Sequence, residues 1–230
     1  MSAAAETPFA GSIAQLGVVV PDLDGAIHSW LRLGIGPFLT VRGAAVSGYE
    51  YRGTPSKPLL DVAFAQKGGV QIELIQQVND APSAYRDFIA AGGNGFHHFG
   101  WFRADYAGAV AAAAATNATV LQKGVWSGVH FVYYETTEGL LPPAELAELD
   151  DATRATALAA SRPGAGKLVE LIELNDVSGA VFRLVREDST DWDGRTNPVR
   201  SLLSTTGVLR VGVDVLSHKV ERWLHGKGPG

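Results

Sequence analysis

The chain contains no cysteine. Disulfides, thiolate metal sites and a cysteine nucleophile are therefore excluded, and any metal it binds must sit among nitrogen and oxygen donors. It also lacks positive charge in excess: 19 Lys and Arg stand against 24 Asp and Glu, a formal net charge of −5. Binding a nucleic-acid backbone needs a clustered positive field, so nucleic acid is not an expected partner, whereas a small anion would need only one or two local cations. The longest apolar run, Ala109 to Ala115, falls far short of the ~18 residues that span a bilayer. Met1 to Ser12 has neither the basic start nor the apolar centre of a signal peptide. A soluble cytoplasmic protein without membrane contact is the expectation. There is no phosphate loop, nucleophile elbow or dinucleotide fingerprint.

What is present is core-forming material: 46% of the 230 residues are hydrophobic, which argues against disorder. Ile13 to Val20 reads as a strand. Asp22 or Asp24 is placed to cap a helix over Ala26 to Leu33, which Gly34 and Gly36 end. Strands are expected at Phe38–Val41, Asp61–Gln66 and Val70–Gln76, the last two joined as a hairpin by Gly68 and Gly69. A linker and short helix follow over Asn79 to Ala91, with Pro82 near the first turn. The order then recurs. His98–Arg103 reads as a strand, Asp105 as a cap, and Tyr106–Ala115 as an alanine-rich helix. Strands follow at Thr119–Gln122, His130–Glu135 and Lys167–Leu174, with a further one over Val181–Val185.

The recurrence has a register. Gln15-Leu16-Gly17 aligns with His98-Phe99-Gly100 at an offset of 83 residues, which also sets Asp22 on Asp105 and Ala26 on Ala109. Ile72-Glu73-Leu74-Ile75 resembles Val169-Glu170-Leu171-Ile172 at an offset of 97, so the second copy carries extra residues. These fall mainly in Pro142 to Gly166, within an insertion over 138–166. A strand–helix–strands order repeated twice predicts an α+β fold of two βαβββ modules. They would occupy 12–78 and 96–187, joined by a linker helix over 79–95 and followed by a C-terminal extension over 188–230. In that extension Leu209, Val211, Val213 and Val215 alternate as in a strand, while Leu209, Val213, Leu216, Val220 and Trp223 fit helical spacing; the pattern alone leaves both open.

Several residues could carry chemistry. Alternation puts Leu168, Glu170, Ile172 and Leu174 on one strand face. A carboxylate among apolar neighbours is costly unless a cation or hydrogen bonds compensate; a metal would do this, and so would an arginine. Glu73 shares its face with Gln71, Ile75 and Gln77, a mixed face that by alternation alone could meet solvent. His97 and His98 point to opposite faces of a regular strand; His98 holds the repeat position and His97 reads as packing or support. Gly17 and Gly100 leave room beside Gln15 and His98, or mark a bend. Arg42, Arg52 and Lys57 read as solvated surface, with an anionic substrate as the other possibility. Tyr49, Tyr51, Trp101, Trp126 and Tyr133 read as core, or as the lining of an apolar pocket.

The segments Ile13-Ala14-Gln15-Leu16-Gly17-Val18-Val19-Val20-Pro21-Asp22-Leu23-Asp24, Ile72-Glu73-Leu74-Ile75-Gln76, Asp80-Ala81-Pro82-Ser83 leading to Gly95-Phe96-His97-His98, and Leu168-Val169-Glu170-Leu171-Ile172 resemble, in order and spacing, the vicinal oxygen chelate superfamily. That group includes glyoxalase I, methylmalonyl-CoA epimerase, extradiol dioxygenases and bleomycin-resistance proteins. The likeness covers about residues 12 to 186, and the epimerase-like branch is nearest in pattern. It implies a curved mixed sheet around one divalent metal (nickel, cobalt, zinc or manganese), held by Gln15, Glu73, His98 and Glu170. Glutamine at position 15, where histidine is common, speaks against a dioxygenase, which would want two histidines and one carboxylate.

Two carboxylates on one metal suggest a lyase or isomerase of the glyoxalase or epimerase kind. It would move a proton next to a substrate carbonyl through a metal-stabilised enediolate, with Glu170 and Glu73 as the catalytic residues. A non-catalytic small-molecule binding or resistance protein and a ring-cleaving dioxygenase are the alternatives. The resemblance further implies a small-molecule partner with a carbonyl and a homodimer. The insertion, amphipathic in composition, would lie over the pocket as a lid or wall, or on a remote surface.

Overall fold

A computed structural model describes residues 7–116, 118–135, 150–151 and 168–224, without the side chains of 220–224. The strands are β1 (Gln15–Val19), β2 (Phe38–Ala45), β3 (Ser47–Tyr51), β4 (Thr54–Pro55), β5 (Leu59–Lys67), β6 (Val70–Gln77), β7 (Gly95–Arg103), β8 (Thr119–Trp126), β9 (Val129–Glu135), β10 (Leu168–Glu173) and β11 (Val199–Ser201). The helices are α1 (Leu23–Arg32), α2 (Ala84–Ala90), α3 (Tyr106–Ala114), α4 (Asp176–Thr190) and α5 (Thr205–Leu224). Helix starts are set chemically: the side chains of Asp22, Ser83 and Asp105 accept from backbone N–H groups of the first turns of α1, α2 and α3.

The eleven strands among the described residues form one curved mixed sheet in the order β11-β2-β5-β6-β1-β7-β10-β9-β8-β3-β4. Each half contributes a parallel pair, β1 with β6 and β7 with β10. The halves meet where β1 runs antiparallel to β7, with Gln15 opposite Gly100 and Gly17 opposite His98. On one face α1 packs Leu23 and Ile27 against a cluster with Val18, Val20, Ala63 and Leu74. On the same face α3 packs Ala109 and Ala113 against Val132, Tyr134 and Leu171. The alternate residues of the same strands, among them Val19, Val62, Phe64, Ile75 and Tyr133, build a second core on the other face.

Two expectations need correction, and one open reading is resolved. Val181–Val185 is not a strand but lies within α4. There Asn175 and Ser178 form a capping box, and Val181, Leu184 and Val185 are buried at helical spacing. The stretch Leu209–Val215, for which the sequence left strand and helix both open, lies in a helix, α5. Strand β7 is irregular: its pairing slips between Gly17 and Val18, which are opposite His98 and Phe96, so His97 is the extra residue of a bulge and does not turn to the far face. The insertion lies largely outside the described residues, and with it the expected lid. Among the described residues no helix is long and apolar enough to cross a membrane.

Candidate metal centre

The central strands bring three of the repeat positions together, Glu73, His98 and Glu170, and Gln15 lines the same cavity. Gln15 of β1, Glu73 of β6, His98 of β7 and Glu170 of β10 all face the second core. One ligand atom from each of Glu73, His98 and Glu170 lies within 4.8 Å of the others. His98 Nε2 stands 3.2 Å from Glu170 Oε2 and 3.5 Å from Glu73 Oε2. Glu170 thus has a histidine beside it, and among the described residues no arginine pairs with it. The mixed face of β6 also turns inward. Gln71 Oε1 accepts from Gln15 Nε2 at 2.8 Å, which aims Gln15 Oε1 away from Gln71.

Glycine explains how these side chains fit. A Cβ on Gly17 would overlap the His98 imidazole, and one on Gly100 would lie 2.8 Å from Gln15 Oε1. Each glycine therefore makes room for the donor opposite it on the neighbouring strand, and not for the donor two positions away on its own strand.

Burial and close opposite charges set the protonation of the cluster. Burial lifts the Glu170 carboxyl to about 7, against the lowering pull of His98. Burial alone would lower His98, but the adjoining Glu170 and Glu73 carboxylates raise it to about 9. Burial, reinforced by His98, holds His97 well below the usual histidine range. Neutral His97 therefore accepts at Nδ1 from His98 Nδ1, 3.0 Å away, which leaves His98 Nε2 facing the carboxylates. Tyr133 Oη lies 3.3 Å from His98 Nε2, and Tyr85 Oη donates to Tyr133 Oη at 3.1 Å. Burial and the nearby Glu170 charge hold both phenols well above their ordinary range, so they stay protonated.

The donor set fits a divalent ion. Gln15 Oε1, Glu73 Oε2 and Glu170 Oε2 are buried oxygens that make no well-directed hydrogen bond, the two carboxylate oxygens having the His98 ring beside them, and buried acceptors in that state are costly unless a cation meets them. Three oxygens and one imidazole nitrogen suit a borderline or hard divalent metal.

A cavity of about 110 Å³ opens from these groups; Gln15, Glu73, Tyr133 and Glu170 are among its lining residues. Trp126 and Tyr133, weighed as core or pocket, line it, and Tyr85 joins them without having been singled out. The other aromatic candidates do not: Tyr49 donates to Gln122, Tyr51 to Asp87, and Trp101 to the carbonyl of Gly11. Arg42 pairs with Asp24 and Asp61, Arg52 with Asp87, and neither they nor Lys57 reaches the cavity.

The family model described as the glyoxalase/bleomycin resistance protein/dioxygenase superfamily matches residues 14–134. The chain belongs to this superfamily. The matched stretch holds Gln15, Glu73 and His98 and stops before Glu170. No curated protein sequence matches the chain. Similar solved structures include a hypothetical protein from Bacillus halodurans, at 15% identity and TM-score 0.44, covering 71% of this chain and 94% of that one. A methylmalonyl-CoA epimerase from Mycobacterium tuberculosis is similar at 15% identity and TM-score 0.42, covering 78% and 98%. A mutant 4-hydroxymandelate synthase from Streptomyces coelicolor is similar at 13% identity and TM-score 0.35, covering 71% and 49%.

Proposed function

We propose that this superfamily member is a metal-dependent lyase or isomerase that moves a proton next to the carbonyl of a small-molecule substrate. Gln15, Glu73, His98 and Glu170 would hold one divalent ion, with nickel, cobalt, zinc and manganese all admissible. The observation that carries the reading is the cluster of Glu73, His98 and Glu170 beside a cavity that Gln15 also lines, with a buried, unsatisfied oxygen on each of Gln15, Glu73 and Glu170. Lewis acidity supplied by the bound ion would polarise the carbonyl oxygen and acidify the neighbouring C–H. One of Glu73 and Glu170, both of which line the cavity, removes that proton, and the other returns it or stays with the ion. The Tyr133 hydroxyl, kept protonated, donates a hydrogen bond toward the substrate oxygen. His97 fixes the His98 ring orientation.

The test has two parts. Metal content is measured on the purified full chain and on Glu170→Ala. Exchange of the α-hydrogen of 2-hydroxyacetophenone into D2O is followed by NMR, with Glu73→Gln and Glu170→Gln as comparisons. About one ion per chain, with exchange lost in either variant, supports the reading. Absence of bound metal, or oxygen consumption with a catechol in place of exchange, ends it.

We further propose the two-module division at 12–78 and 96–187, and a homodimer. All four donors come from one chain, so pairing would not be needed to complete the site. It would cover the face of α5 that leaves Leu209, Val213 and Leu216 exposed at 65%, 54% and 64%.

A further inference from the structure

We infer that the cavity selects a neutral substrate: a carbonyl or α-hydroxycarbonyl compound whose tail is one apolar ring or a short branched chain. This rests on the proposed function, whose site it extends. Away from the donor cluster the walls are hydrocarbon. Strand β5 contributes Leu60, Val62 and Phe64, and α4 contributes Val177, Val181 and Phe182. The α4 residues share one helix face, and Phe182 packs edge-on against Phe102 at 5.2 Å. The helix thus supplies part of the cavity wall, as β5 does. Ser178, the one polar residue it adds, already donates to the Glu173 carbonyl at 2.7 Å.

Charge decides the class. Among the described residues no lysine, arginine or histidine lines the cavity. Arg183, on the α4 stretch beside the wall, is held by Asp214, with Nε 3.1 Å from Oδ2. Two glutamates offset the charge of a divalent ion. An anionic tail would then lie in an apolar site with no counter-charge, and an unpaired buried charge is strongly disfavoured. Size decides the rest. A volume of about 110 Å³ is of the same order as the ~150 Å³ of an apolar cavity that takes up benzene, so the tail is limited to one ring or its branched equivalent. The carbonyl end then reaches the glutamates.

The experiment is calorimetric titration of the full chain with 2-hydroxyacetophenone and with its ring-carboxylated analogue. Titrations are done with and without one equivalent of Ni2+, with metal content measured on each sample. The neutral compound is expected to bind at least ~100-fold more tightly, the ratio typical of leaving one charge buried and unpaired. Phe182→Lys, which places a cation at the half-buried edge of the wall, should narrow that ratio by ~10-fold or more while metal content stays unchanged. Affinities within threefold of each other, or no binding of the neutral compound to nickel-loaded protein, would overturn the inference. A preference for the neutral compound in protein that takes up no nickel would uphold the cavity reading and sink the metal-dependent function. Full nickel binding without a preference would do the reverse.

Discussion

Gly17→Ala should damage the metal centre without touching any of its donors. Gly17 lies opposite His98 across the β1–β7 seam, and an added Cβ would fall inside the contact distance of three atoms of its ring. His98 is fully buried. It is enclosed by Tyr133 at a ring separation of 4.7 Å and His97 at 5.3 Å, so the imidazole has no free space to enter. One extra methyl in such packing costs about 1–3 kcal/mol. For a chain of this length that corresponds to a fall in Tm of about 2–12 °C. The ring must also turn or shift, and Nε2 then leaves the position it holds beside Glu170 and Glu73. Misplacing a supporting group of a metal site typically costs ~10–100-fold in affinity, and displacing a donor itself should cost at least that. The assay is calorimetric titration with Zn2+ alongside thermal denaturation of the metal-free protein. Gly69→Ala is the control, because a Cβ there meets nothing within 4 Å; it should match the parent in both measurements. Zinc affinity within threefold of the parent in Gly17→Ala would refute the claim that this close approach positions His98.

Metal-free stability should fall as pH rises from about 6.5 to about 9. Glu170 and His98 both have folded pKa values raised, to about 7 and about 9, so the folded state holds more protons than the unfolded chain across that range, while the lowered His97 works in the opposite sense only below the ordinary histidine value of 6.5. The Tm gain on adding Zn2+ should grow over the same range, because the donors must lose those protons to bind; thermal melts at pH 7 and 9 check both slopes. Glu170→Gln should raise the metal-free Tm at pH 8, where it removes a carboxylate that burial disfavours, and abolish the Tm gain on metal addition. Sedimentation should show a dimer at micromolar concentration, weakened by Leu209→Glu combined with Leu216→Glu; a monomer for the parent chain would count against the pairing.

Much of the sheet was legible because its strands carry β-branched residues in clear alternation, and caps at Asp22 and Asp105 mark the helices that follow β1 and β7. What escaped had physical reasons. Strand β3 is built from Ser47-Gly48-Tyr49-Glu50-Tyr51, too poor in aliphatic residues to announce itself, and it gains its place by pairing with β8. The valines of α4 carry strand propensity, and the Asn175/Ser178 capping box overrides it. The tail from Leu209 fits two periods, and α5 settles on the helical one by packing on α4, where Arg183 meets Asp214. The bulge at His97 could not be read at all, since it adds a residue without changing composition. It nevertheless turns His97 toward His98.

The candidate site was legible to a different degree at each position. Glu170 stood out, because a carboxylate between apolar neighbours demands a partner. Glu73 did not, because Gln71 and Gln77 made its face look wet; burial of Gln71 against Gln15 shows that the polarity serves the site. The glycines carried the least visible signal. The sequence repeats a donor followed two residues later by glycine, at Gln15-Leu16-Gly17 and His98-Phe99-Gly100. Along either strand this spacing says only that one face has an open position. Laid antiparallel, the two copies set each donor against the other copy's glycine, so two large side chains occupy adjacent positions at a seam that two ordinary residues would fill. The repeat thus does more than duplicate a module. Its antiparallel pairing is what makes room for Gln15 and His98 side by side, and it explains why glycine is required on both strands although neither glycine can bind anything.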